Sequence, residues 1–292
     1  MPLVTLNIPN PPAALASPAD EAAFAAACAV ESPPLGPDSR SQPGVPRGTL
    51  TTRRHVSDAT GAFPNTSRDW TLYVPAQYDA VRPANLVVFQ DARFYLSDDF
   101  NAPAVFDNLI ARGDIPPTIG LFVEPGDLPN EAPNARGNRS FEYDSMTDAY
   151  SRLLHDELLP LVTTDYAISI DPNCRASVGM SSGGICAFTL AWERPDSFAR
   201  VVSHVGSFTD IRGGSATITR VRKNGRKPIR VFLQGAVGDL DNQNGSWTVA
   251  NIDMAMALRF KDYDYRFEYG LGAHDRRHGA AIFPETLRWL FR

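Results

Sequence analysis

The stretch VGMSSGGICAF, residues 178–188, sets two serines among three glycines, between a short apolar segment and an apolar run. Upstream, RASV (175–178) reads as a strand. Downstream, ICAFTLAWERP (185–195) reads as a helix that stops at Pro195. Within the turn, Gly179-Met180-Ser181-Ser182-Gly183 fits G-x-S-x-G, the nucleophile elbow. Glycines on both sides let chain segments approach closely, so the central hydroxyl projects above a sheet. The next helix aims its first backbone N–H groups at the same place. A plain glycine-rich turn would contain the same residues without needing this context. A phosphate cradle is disfavoured because no G-x-x-x-x-G-K-[ST] lysine is present.

Working outward, strands alternate with helices. NLVVFQ (85–90) and TIGLFVEP (118–125) are short continuous apolar runs, the mark of strands buried on both faces. GTLTTRRHV and DWTLYVP alternate like strands. ARVVSHVG, IRVFLQG and YRFEYGLG are three more strand-like runs. Helical spacing appears in AVFDNLIARG (104–113), ending at Gly113, and in VANIDMAMALRF. MTDAYSRLLHDELLPLV (146–162) reads as an amphipathic helix with Tyr150, Leu153, Leu154, Leu158 and Leu161 on its apolar face. FPETLRWLFR reads as a closing helix with Pro284 near its start. This order predicts an α/β fold with a mostly parallel central sheet flanked by helices on both faces. Ligands in such sheets bind at the carboxyl ends of the strands, so the loops there are the search area. Residues 1–46 are rich in Pro, Ala and Ser and read as an arm, with one short helix from Glu21 to Val30. Residues 47–292 read as a single domain.

A serine nucleophile needs a base, and the base needs an orienting acid. In α/β-hydrolases the chain order is Ser, acid, His. Three histidines come after Ser181. His204 lies inside a strand and reads as a packing residue. His274, in GLGAHDRRH just past the strand YRFEYG, stands where a catalytic base is expected. His278 is within reach but nearer the final helix. The loop after IRVFLQG supplies Asp239 and Asp241, of which Asp239 is closer to the strand. Oxyanion donors are expected from the Ser182 N–H and from Ala92 or Arg93 after the early strand NLVVFQ.

H-D-R-R-H also places histidines at i and i+4, as zinc sites do. With Gly270 and Gly272 before it and Gly279 after it, no regular helix is expected there, and no third ligand stands out. No metal or other cofactor is expected. RVRKNGRKPIR (220–230) carries six basic residues in eleven and reads as a solvated loop. In NRSFEYD (138–144), Arg139 and Glu142 either pair with each other or face substrate. Phe94, Tyr95, Phe208 and Trp247 are placed on sheet-edge loops, where they would suit an aryl or hydroxyaroyl ester. Arg93, Arg139, Glu142, Trp247 and His278 are the expected substrate contacts.

With 28 basic and 33 acidic residues, the chain carries a net charge of −5, which argues against general nucleic-acid binding. No apolar run approaches the ~20 residues that span a bilayer. Cys28, Cys174 and Cys186 are an odd number at no metal-like spacing. They point to free thiols in a reducing, cytoplasmic setting. The expected partner is a small-molecule ester, and a homodimer stays open.

The combination of FQDARFY, NRSFEYD, HDELLPLV, GMSSGGICAFTLAWERPDSFARVVSHVGSF, QGAVGDLDNQNGSW and GAHDRRHGAAIFPETLRWLFR resembles the esterases related to enterochelin (ferric siderophore) esterase and to feruloyl esterase domains. These stretches cover most of residues 48–292 in the family's order. The resemblance implies an α/β-hydrolase fold and ester hydrolysis through a serine acyl-enzyme, without cofactor. It assigns Ser181 as nucleophile, His274 as base and Asp239 as acid. The early loop reads Asp91-Ala92 where family members usually have Asp-Gly, and His278 stands where siderophore esterases often place an aromatic residue. Acyl transfer to an alcohol, as in the mycolyltransferase relatives, and a non-catalytic binding role on the same fold are the competing expectations.

Overall fold

The computed structural model describes residues 34–292. The expected helix at 21–30 and Cys28 lie outside the described residues. Eight strands form one sheet: β1 (Thr49–Val56), β2 (Ser67–Val74), β3 (Asn85–Gln90), β4 (Thr118–Val123), β5 (Arg175–Met180), β6 (Arg200–His204), β7 (Arg230–Gly238) and β8 (Asp264–Ala273). Their spatial order is β1-β2-β4-β3-β5-β6-β7-β8. β1 with β2 and β2 with β4 run antiparallel, and every other pairing is parallel.

Burial explains the central strands. All six residues of β3 are buried. Leu86 and Val88 enter the core on one face of the sheet, while Val87 and Phe89 enter the core on the other. A strand buried on both faces reads as a continuous apolar run, not an alternating one. The two layers are closed by α1 (Ala102–Arg112), α2 (Ser182–Glu193), α3 (Ala216–Lys223), α4 (Trp247–Phe260) and α5 (Arg277–Leu290). Residues preceding β1 also dock on these helices. Asp38 pairs with Arg112 of α1 and with Arg288 of α5, and the Asn108 side chain donates to the Asp38 carbonyl.

Three helices differ from expectation for identifiable reasons. The segment read as one helix over 146–162 runs from Ala149 to Thr163 and contains a π turn at Leu153–Leu158. The wider turn rotates the last turn of the helix about its axis, so Leu159 and Val162 face the core and Leu161 is 41% exposed. The closing helix begins at Arg277, not at the proline, and Pro284 is interior. Gly279 lets its first turn lie on the His204 ring, since a Cβ there would stand 3.0 Å from that ring. The basic stretch 220–230 is helical up to Lys223, because Thr217, Ile218 and Val221 give α3 a buried face.

His204 packs as expected, fully buried with its Nδ1 3.2 Å from the Tyr95 hydroxyl. Burial pushes its imidazole down to about 3, and the neighbouring His278 adds to the shift. A base whose folded pKa is depressed contributes stability in full above its unfolded pKa of about 6.5. That contribution is lost as pH falls through 6.5 toward 3. At pH 4.5 the loss amounts to about 3 kcal/mol. Urea titrations at pH 7.5 and 4.5 are expected to show this drop for the wild type and a smaller one for His204→Gln.

Candidate active site

At the elbow the chain folds tightly because side chains are missing where segments meet. A Cβ on Gly179 would stand 1.9 Å from the Gly183 carbonyl oxygen, and one on Gly184 would stand 2.6 Å from the Ser203 hydroxyl. Ser181 is held at φ 59°, ψ −124°, a conformation that costs a non-glycine residue about 1–3 kcal/mol. The Ser181 N–H donates to the His204 carbonyl (2.9 Å), and the Ser181 carbonyl accepts from the Ser207 N–H (3.0 Å). These bonds anchor the strained residue to the loop after β6.

The structure brings Ser181, His274 and Asp239 together from the ends of β5, β8 and β7. Ser181 Oγ lies 2.9 Å from His274 Nε2. His274 Nδ1 lies 2.5 Å from Asp239 Oδ1, which also accepts the Leu240 N–H (2.8 Å). The Asp239 carboxylate is wholly buried. A carboxylate can only accept, so Nδ1 carries the imidazole proton and Nε2 is free to accept from the serine. Asp241 is exposed, in a two-residue ladder with Ser246, and does not reach the histidine.

Ser207 was not anticipated from the sequence. Its hydroxyl lies 3.3 Å from Ser181 Oγ and accepts the Trp247 indole N–H (2.9 Å). With that lone pair taken, the Ser207 O–H is free to point at Ser181 Oγ, which turns the Ser181 proton toward His274. Trp247 is therefore a buried support, set edge-on to the His274 ring at 5.9 Å, and not a substrate contact.

The expected oxyanion donors can be located as well. Among the described residues, neither the Ser182 nor the Ala92 N–H has an acceptor. The Arg93 N–H is occupied, donating to Glu124 (2.6 Å). Of the two early-loop candidates, Ala92 is the one left free. The positive φ of this loop falls on Asp91 (φ 62°, ψ 61°), so alanine at 92 carries no backbone strain. Asp91 is fixed by its own N–H, which donates to the Tyr143 hydroxyl (3.2 Å), and by Arg139, which donates to both carboxylate oxygens (2.8 and 2.7 Å).

A cleft of about 510 Å³ opens over Ser181 and His274. Arg93, Phe94, Arg136 and Arg139 line it, together with Asp275 and Arg276 from the loop after β8. Arg93 and Arg139, two of the expected substrate contacts, line the cleft. Glu142 does not: it is buried and paired with Arg68 of β2 at 2.6 Å, with both side chains fully inaccessible. Removing one member of such a pair strands a buried charge. Glu142→Ala is expected to cost about 3–5 kcal/mol in urea unfolding. His278 also stays out of the cleft. Its Nδ1 lies 3.2 Å from the Gln234 amide, so it and His274 face different partners and do not form a joint site. Tyr95 and Phe208 are fully buried, leaving Phe94 as the aromatic side chain of the four that lines the cleft. Among the described residues, no group of three or more His, Cys, Asp or Glu is placed to hold a metal, and no helix is long and apolar enough to cross a membrane.

The sheet order and the strand–elbow–helix define an α/β-hydrolase fold. A family profile described as Putative esterase matches residues 61–278, and the chain belongs to that family. It is similar to the iron(III) enterobactin esterase of Dickeya dadantii, with 24% identity over 241 residues, covering 77% of this chain and 52% of that protein. The chain thus spans about half the length of that curated relative. Among solved structures it resembles the ferric enterobactin esterase of Salmonella typhimurium (18% identity, 88% of this chain and 61% of that one, TM-score 0.69). It also resembles a ferulic acid esterase of Anaeromyces mucronatus (17% identity, 86% and 93%, TM-score 0.66).

Proposed function

We propose that the protein is a serine carboxylic-ester hydrolase working through an acyl-enzyme. The observation that carries this reading is the continuous path from Ser181 Oγ through His274 to the buried Asp239. His274 Nε2 takes the hydroxyl proton as Ser181 attacks the ester carbonyl. Asp239 holds the ring and stabilises the imidazolium. The developing oxyanion is met by the N–H groups of Ser182 and Ala92, which need no rearrangement to bond it. His274 then protonates the leaving alcohol, and water, activated by the same histidine, releases the acid.

The substrate class we propose is an aryl, hydroxyaroyl or siderophore-like ester. Phe94 in the cleft and the likeness to enterobactin and ferulic acid esterases support it. A fluorophosphonate probe combined with peptide mapping tests the reading. The adduct is expected on the peptide containing Ser181. Folded protein that takes no label and turns over no activated aryl ester would overturn it.

A further inference from the structure

The cleft is not electrically balanced. On the His274 side the charges are matched: Arg276 pairs with Asp99, and Asp275 pairs with Arg277. Elsewhere in the lining, Arg136 and Arg139 share the single carboxylate of Asp91. Arg139 engages both of its oxygens and Arg136 donates to one of them, so two cations face one anion. The Arg136 side chain is only 9% exposed, and its Nε, like that of Arg276, is buried with no acceptor among the described residues. Beside it, Arg93 forms no ion pair with a carboxylate among the described residues. Burial pushes the nearby Glu124 carboxyl up, and one of its oxygens already accepts Arg93's own N–H. Both guanidinium groups rest against the ring of Phe94, at 5.4 and 5.2 Å from its centroid.

The direction of catalysis says which part of the substrate meets these side chains. His274 delivers its proton to the leaving oxygen, so the alcohol portion lies on the His274 side. The carbonyl oxygen points at the N–H groups of Ser182 and Ala92. The acyl chain is left facing Arg93, Phe94 and Arg136. Resting on the ester-hydrolase reading, we infer that the acyl group carries a carboxylate at its far end, seated by Arg136 and Arg93. Within the aryl esters of that reading, the preferred substrate is then an aryl half-ester of a dicarboxylic acid. Attack forms the bond from Ser181 Oγ to the carbonyl carbon and breaks the ester C–O bond. The serine proton leaves with the alcohol, and water releases the dicarboxylate.

Two esters of near-equal size test this: 4-nitrophenyl hydrogen adipate, which is anionic, and 4-nitrophenyl methyl adipate, which is neutral. The anionic ester is expected to be favoured in kcat/KM by roughly ten- to a hundredfold at low ionic strength, the scale of one charge-assisted hydrogen bond. Added salt should shrink the ratio. Within-variant ratios should fall toward one in Arg136→Gln and in Arg93→Gln; the second keeps the backbone N–H that Glu124 holds. Equal turnover of the two esters by the wild type, or a ratio untouched in both variants, overturns the inference and leaves the hydrolase reading standing. No turnover of either ester, together with no fluorophosphonate label, overturns both.

Discussion

Ser181→Ala is expected to lower turnover of activated esters by at least ~10⁴-fold, with folding unchanged. The alanine removes the only atom that can bond the acyl carbon, and what remains is the binding and oxyanion donors, which alone supply a small residual rate. The neighbouring serine is the control. Ser182→Ala keeps the backbone N–H at the start of α2 and should stay near wild-type turnover, although the two hydroxyls are adjacent in sequence. Steady-state kinetics on one chromogenic ester compares the pair. Equal losses in both variants would mean that the elbow itself had been disturbed and that the assignment of Ser181 needs another basis.

Asp239→Asn is expected to lower kcat by about 10⁴-fold, because the amide can present its N–H₂ to Nδ1 and so place the imidazole proton on Nε2, where it faces the serine. The same step removes the charge that stabilises the imidazolium. Asp241→Asn, on an exposed turn that does not reach His274, should leave kcat near wild type. A reversed order of the two effects, measured as kcat at saturating ester, would move the acid to Asp241.

How much of this was legible depends on whether a feature is local. The runs NLVVFQ and RASV, buried on both faces, and the G-x-S-x-G turn each carry their signal within a few residues, so the sheet and the elbow were readable. The meeting of His274 and Asp239 with Ser181 was readable because each lies just past the end of a strand. Partners chosen by packing were not. Glu142 pairs with Arg68, 74 positions earlier, and nothing near NRSFEYD announces it. Ser207 reaches Ser181 because β6 lies beside β5, and Trp247 turns inward to meet it. Arg136 sits in a loop of no regular structure, and its place in the cleft comes from Asp91, 45 positions away. The π turn leaves no mark that helical spacing alone can detect, which is why that spacing puts Leu161 on the wrong face.

The early loop bears on how sequences of this kind are searched for. The left-handed backbone stands at Asp91, and residue 92 has ordinary helical geometry, so an Asp-Gly signature asks for glycine where this chain shows no steric need of it. What singles out the Ala92 N–H is that Glu124 has claimed the one after it. A pattern built on that division would require an acid at the end of β4 and leave the position after Asp91 open. It would retrieve sequences that a glycine-based pattern discards.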